Sequence, residues 1–213
     1  SIEGQIHFLI YVQALFRNFI EAQIYAQYTG AEVIEIEDYT KIIAPDDLEN
    51  DWNLWGAEFA LLREEAYPIR TYPEFVEMGK IKEEEKIDPL TSFLESLGSM
   101  KEGEQAWVQI VIRAADKDWK DKAEALIEEL QQKKGGVAEE TDFSRSILSP
   151  GQREVLLAVE RNVAKLGYET GIRALYLAKK ENYNPVRPVF LLGAMKQYNT
   201  QDMNGFKPGK STS

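Results

Sequence analysis

The chain has 213 residues, with 36 acidic against 25 basic side chains, a formal net charge of −11, and 44% hydrophobic residues that include 4 Trp, 10 Tyr and 9 Phe. That content suffices for one large packed domain or two small ones, and the acidic balance argues against a phosphate-backbone binder, which needs a basic face. Cys is absent and His7 is the only histidine. Disulfides, thiolate metal sites, cysteine nucleophiles and histidine-rich metal centres are therefore excluded.

The most apolar run, Ile6 to Phe19, is interrupted by His7, Gln13 and Arg17. It falls short of the ~20 largely apolar residues a membrane span needs. No signal-peptide pattern opens the chain. The first residue is Ser1 rather than Met, so any anchor is expected upstream, outside this chain.

In chain order, QIHFLIYV over 5–12 is short, apolar and β-rich, which predicts a strand. Residues 13–28 carry a helical stripe of Leu15, Phe19, Ala22 and Ala26, with Gly30 as the stop. EVIEIED over 32–38 predicts a second strand, and APDDLEND over 44–51 a polar loop. LWGAEFALL over 54–62 predicts a third strand, which Arg63–Tyr72 would extend or pair alongside, between the breaks at Pro68 and Pro73.

After a charged stretch at 77–87, Asp88-Pro89 opens a helix with Leu90, Phe93, Leu94 and Leu97 inward. QAWVQIVIR over 105–113 predicts a fourth strand, Val108, Ile110 and Ile112 facing one way and Trp107, Gln109 and Arg113 the other. The order over 1–115 is strand, helix, strand, strand, helix, strand: an α+β, ferredoxin-like βαββαβ unit. Both helices would cover one sheet face and leave the other for a partner, a ligand or water, with another element of this same chain the favoured cover for Trp107.

Residues 116–148 read as a connecting helix (118–134, with Trp119, Ala123, Leu126 and Leu130 on one side) and a loop after Gly135-Gly136. Residues 149–213 read as helix, strand and helix with a flexible tail. Ser149-Pro150 caps the first helix, Gly167 stops it, YETGIRALYLAK over 168–179 is the strand, and 188–199 the last helix. Arg17 to Gln27-Tyr28 and Arg187 to Gln197-Tyr198 repeat at the same spacing. That echo predicts a second, partial α+β unit whose remaining strands lie beyond Ser213.

Chemical motifs are sparse. Gly209-Lys210-Ser211 has the ending of a phosphate-binding P-loop, but Asn204 stands where the first Gly is required, and no helix follows. Glu35, Glu37, Asp38, Asp46, Asp47, Glu49 and Asp51 lack an orienting partner, and 46–51 fails the calcium-loop pattern. They read as solvated charge. His7 lies alone in the first predicted strand. Aromatic and Arg side chains alternate over Trp52, Trp55, Arg63, Tyr67, Arg70 and Tyr72, without the aromatic signature of sheet-based RNA binders. The residues singled out for binding are Trp107, Gln109 and Arg113 on the open sheet face. No catalytic or metal-ligating residue and no cofactor is assigned.

The stretches RNFIEAQIYAQYTGAEVIEIEDYT, YPIRTYPEF with KIDPLTSFLESL, GEQAWVQIVIR, and SPGQREVLLAVERNVAKLGYETGIRALYLA with KQYNTQDMNGFKP resemble a family of uncharacterised proteins of ultra-small, candidate-phyla bacteria. The resemblance implies longer proteins with membrane segments upstream, associated with conjugation-type or type IV secretion-like ATPases. It implies no catalytic motif. The expectation is a non-catalytic scaffold at the cytoplasmic face of the membrane, with a secretion or conjugation ATPase as protein partner. Membrane contact would run only through segments outside this chain. Two alternatives stay open: a small-ligand-binding domain or enzyme using the open face, and a nucleic-acid-binding module, for which direct contact is disfavoured by charge.

Overall fold

A computed structural model describes residues 1–78, 90–132 and 148–212. Among them, helices and strands follow in the order α1 (Arg17–Gln27), α2 (Pro45–Asn50), β1 (Trp52–Leu61), α3 (Tyr72–Met78), α4 (Thr91–Gly98), β2 (Glu104–Ala114), α5 (Asp118–Gln132), α6 (Pro150–Val163), β3 (Tyr168–Lys179), α7 (Val186–Lys196) and β4 (Phe206–Thr212). The molecule is mixed α and β. Its sheet has four strands in the order β2-β3-β1-β4, with every neighbouring pair antiparallel.

β3 lies between β1 and β2, and burial is concentrated in its C-terminal half. Ala174, Tyr176, Leu177 and Ala178 are all buried. On one face, Ala57 of β1, Ala106 of β2, and Ala174 and Ala178 of β3 keep the surface low enough for helices to approach closely. Leu97 of α4, Met100 and Leu191 of α7 fill that space around Tyr176. A second core lies off the sheet, where Ala123 and Leu126 of α5 meet Val159 of α6 and Ala66. Asn162 Nδ2 donates to the Ala66 carbonyl at 3.1 Å. Gly167 lies flat against Trp119, where an added Cβ would come within 2.3 Å of the indole.

The strands expected at 54–62, 105–113 and 168–179 form as β1, β2 and β3, and α6 has the expected start. Ser149 Oγ accepts from Gln152 N while Gln152 Oε1 accepts from Ser149 N, a reciprocal capping box. The helix over 13–28 forms as a short 3-10 turn and α1, which ends at Tyr28 before Gly30. The proposed helix start at Asp88-Pro89 and the stop at Gly135-Gly136 lie outside the described residues, as does most of the charged stretch 77–87.

Four expectations are corrected. Residues 5–12 and 32–38 are not strands. Their side chains favour a pleat, but no ladder partner is present among the described residues, and β-propensity without a neighbouring strand does not make a sheet. The βαββαβ order over 1–115 is therefore not formed by those strands. Only Ile2 bridges, to Gln5 and to Gln105, while Glu3 (φ 50°) and Gly4 (φ 81°) reverse the chain. Residues 45–50, expected as loop, form α2, with Pro45 in the first turn and Asp46 and Asp47 against the positive end of the helix dipole. Arg63–Tyr72 does not extend β1, which ends at Leu61.

The fourth correction concerns the end of the chain. Residues 206–212, expected as flexible tail, form β4 on the edge of β1. The strand expected to begin a second unit, β3, lies between β1 and β2 in the same sheet. No helix among the described residues is long and apolar enough to cross a membrane.

β4 is positioned by Asn204, which is fully buried. Its Oδ1 accepts from the backbone N–H of Leu62 (3.1 Å), Arg63 (2.9 Å) and Gly205 (3.0 Å), and its Nδ2 donates to the carbonyls of Glu64 (3.0 Å) and Tyr67 (3.1 Å). Asn204→Ala would leave these groups buried without partners, at a cost of roughly 3 kcal/mol. Urea unfolding should show a lower midpoint with an unchanged m-value; an unchanged midpoint would refute this role for the amide.

Candidate functional site

Strand alternation places Gln105, Trp107, Gln109, Val111 and Arg113 on the sheet face turned away from α4 and α7. Across β3 their partners are Leu177, Leu175, Arg173, Gly171 and Glu169. Trp107 Nε1 donates to Gln105 Oε1 at 3.0 Å, and its ring meets the Tyr39 ring edge-on with centroids 5.0 Å apart. Gln109 Nε2 donates to the Tyr39 hydroxyl at 2.6 Å, and Gln109 Oε1 accepts from Arg173 Nε. Arg113 stands apart near the far end of the strand, where its Nε donates to Glu169 Oε2 at 2.6 Å. The structure thus joins Trp107 and Gln109 through Tyr39, and gives Arg113 a separate ion pair.

Tyr39 was not singled out from the sequence. It lies in a 3-10 turn, Tyr39–Lys41, whose preceding Asp38 accepts from Thr40 N (3.0 Å) and Thr40 Oγ1 (2.7 Å). The Thr40 hydroxyl and backbone N–H hold the Asp38 carboxyl below its ordinary range. The D-Y-T spelling of an Asx turn was the available signal. Helices α5 and α6 pack on each other and around Ala66 and Tyr67, so this face takes its cover at Trp107 from Tyr39.

A second polar cluster lies under the helices. Glu104, at the first residue of β2, is 3% exposed. Its Oε1 accepts from the Tyr176 hydroxyl at 2.6 Å and from Arg187 Nε at 3.3 Å; its Oε2 accepts from Lys101 N at 2.8 Å and from Arg187 Nη2 at 3.2 Å. Arg187 also donates to Ser99 Oγ (2.6 Å) and to the Ser99 carbonyl (2.7 Å). Burial alone would raise the Glu104 pKa, but the bonds from Tyr176, Lys101 N–H and Arg187 outweigh it and hold the carboxyl below its usual value. Burial, together with the bond it donates to Glu104, pushes the Tyr176 hydroxyl up to about 12.

On the same face, a cavity of about 240 Å³ opens between α4, α7 and the sheet. Phe93, Val108, Ile110, Ile172 and Met195 make its wall apolar. Gln197 also lines it, and its buried Nε2 has no hydrogen-bond acceptor among the described residues.

The remaining sequence candidates do not converge. His7 is exposed and outside any strand, and Glu35, Glu37, Asp38, Asp46, Asp47, Glu49 and Asp51 are all exposed. No group of three or more acidic or histidine side chains able to hold a metal ion is present among the described residues. Gly209, Lys210 and Ser211 belong to β4, not to a loop before a helix.

These observations define a mixed α/β domain in which a four-stranded antiparallel sheet carries a helical layer on one face and a partly capped polar and aromatic row on the other. The chain belongs to the domain-of-unknown-function family DUF8128, whose match covers residues 3–208. No curated protein and no solved structure matches it.

The Glu104 cluster has a pH signature. Its folded-state pKa is depressed, so its contribution to stability is present above the unfolded carboxylate pKa and is lost as pH falls through the folded value. Glu104→Gln should cost roughly 2 kcal/mol at neutral pH. The gap to wild type should narrow as the solution is acidified, read by denaturant unfolding across pH. On the alkaline side, the raised Tyr176 pKa makes stability fall between the unfolded tyrosine range, ~10, and about 12. A gap that stays constant in acid would contradict the assignment.

Proposed function

We propose that this chain is a non-catalytic protein-interaction module on a split βαβ, ferredoxin-like scaffold that docks a protein partner through the segment 8–36. The observation that carries this reading is α1, which has no buried residue. Leu15 and Phe19 are 84% and 64% exposed, and Phe8, Tyr11, Tyr28, Ile34 and Ile36 of the same segment are exposed as well. Large apolar side chains left exposed in such number along one segment favour an interaction surface. The contrast with α7 supports it: the two helices share the Arg to Gln-Tyr spacing, yet α7 buries Pro188, Leu191 and Met195 against the sheet. The polar groups elsewhere are used inward: Glu104, Asn204, Gln109 and Trp107 each bond to other parts of the chain.

For the scaffold, the support is the order β2-β3-β1-β4 with antiparallel pairing throughout. It corresponds to the split βαβ order, with α5 and α6 inserted where a hairpin turn would join β2 to β3. In this reading one unit spans β1 to β4, rather than two units in tandem. The partner class follows the sequence resemblance: an ATPase of a secretion or conjugation assembly at the membrane.

One observation favours a second reading. The apolar cavity beside α7, with the unpaired Gln197 amide, suits a small apolar ligand bearing one carbonyl acceptor. Such a ligand would raise the melting temperature of the wild type and not of Gln197→Leu.

The leading reading is tested by a photoreactive residue at position 19 in cells that make the protein natively. A cross-link to a protein partner is expected, and Leu15→Asp should remove it while changing stability by no more than about 0.5 kcal/mol, because the site is exposed. A cross-link that survives Leu15→Asp, or none at all, would sink the proposal.

A further inference from the structure

The two edges of the sheet differ in how they end. β4 carries Lys207, Pro208 and Lys210, and its pairing with β1 shifts register between Ala57 and Phe59. Lysine, proline and an irregular ladder are the usual devices that keep an edge from pairing further. β2, at the opposite edge, reads AWVQIVIRA from Ala106 to Ala114, with neither Lys nor Pro. Ile110, Val111 and Ile112 are 63%, 64% and 63% exposed.

The first residues of the chain show which backbone groups of β2 point outward. Ala106 N donates to Ser1 O at 2.9 Å, Ser1 N donates to Ala106 O at 2.6 Å, and Glu3 N donates to Glu104 O at 2.9 Å. Antiparallel alternation then turns the N–H and C=O of Val108, Ile110, Ile112 and Ala114 the same way. Among the described residues none of these outward groups has a backbone partner. Ser1 to Glu3 occupy the edge only at 104–106, so the free stretch runs from Val108 to Ala114 and is centred on Val111.

We infer that this edge is an interface between two copies of the chain, in which the free stretches of β2 pair antiparallel about a two-fold axis at Val111 and join the two sheets into one. The free stretch is self-complementary in that register. Ile110 faces Ile112 and Val108 faces Ala114 on the helix-covered side, so apolar meets apolar. On the other side Gln109 faces Arg113, so polar meets polar, and Val111 faces its own copy. The outward backbone groups of Val108, Ile110, Ile112 and Ala114 then satisfy one another across the axis. A second copy fits better than an unrelated strand because each half supplies what the other half lacks, an isologous arrangement. This interface does not depend on α1 or on the partner proposed for it.

The test uses the whole 213-residue chain. Sedimentation equilibrium should give a concentration-dependent dimer of the 24.4 kDa chain. Val111→Lys and Val111→Glu, each placing like charges directly opposite, should each be monomeric with a native circular dichroism spectrum. An equal mixture of the two should recover the dimer, which misfolded variants could not do. For the wild type alone, hydrogen exchange at the amides of Val108, Ile110 and Ile112 should slow as protein concentration rises. A wild type that stays monomeric, a dimer indifferent to both charges, a mixture that fails to reassociate, or exchange independent of concentration would overturn the inference.

Discussion

The fold depends on one buried carboxylate. Glu104 sits where the chain enters β2, and it gathers Tyr176 from β3, Arg187 from α7 and the backbone of Lys101 from the preceding turn. A buried ion pair is a poor source of net stability, because desolvation offsets the Coulombic attraction. Its value is specific pairing. A one-residue slip of β2 would bring Gln105, Trp107 and Gln109 under α4 and α7, and expel Glu104, Ala106 and Val108. Arg187 and the Tyr176 hydroxyl, left under the helices without the carboxylate, would oppose that slip by several kcal/mol. Gly103 (φ 76°), whose N–H donates to Glu3 Oε1 at 3.1 Å, shapes the turn that delivers Glu104.

Asn204 does for β4 what Glu104 does for β2, without charge. Its amide fixes the 62–67 segment, and that same segment carries Ala66 into the core between α5 and α6. The sheet and the helical pair are therefore coupled through one loop. Phe206, two residues on, packs edge-on with Phe59 and Tyr198, so the polar hub and the apolar cluster brace the same strand start.

What the sequence made legible follows from range. β1, β2 and β3 carry their own alternation, and α6 carries its own cap, so local pattern was enough. Pairing partners are not local. Residues 5–12 and 32–38 have strand composition, but a strand needs a neighbour, and composition does not reveal whether one is present. β4 was hidden by Gly, Lys and Ser, which resemble a solvated tail until β1 offers its edge. The α2 signal, Pro followed by two Asp, follows the same grammar as Ser149-Pro150, but its short, mostly polar run masks it. On the open face, Trp107, Gln109 and Arg113 were legible by period two. Tyr39, 70 positions from Gln109, was not. Glu104 and its partners, 72 and 83 positions apart, were equally out of reach. In sequence, Asn204 is only the residue standing where a phosphate loop needs Gly; its role lies in the backbone it holds.

The molecule divides by how fully its parts are satisfied. Under α4 and α7, charge, hydroxyl and guanidinium are matched by partners within the chain, and around Asn204 the backbone is matched as well. The segment 8–36 and the outer edge of β2 are different, leaving apolar side chains in the first case and ladder groups in the second without a counterpart among the described residues. Neither is a necessary by-product of the fold. α7 shows that a helix of similar spacing can bury its apolar side against this sheet, and β4 shows that this chain can guard an edge with lysine and proline. Where the same chain solves a problem at one place and leaves it open at another, the open place is where apolar side chains and ladder groups are still available to a partner. The chemistry there is that of backbone and hydrocarbon, which suits recognition of other proteins.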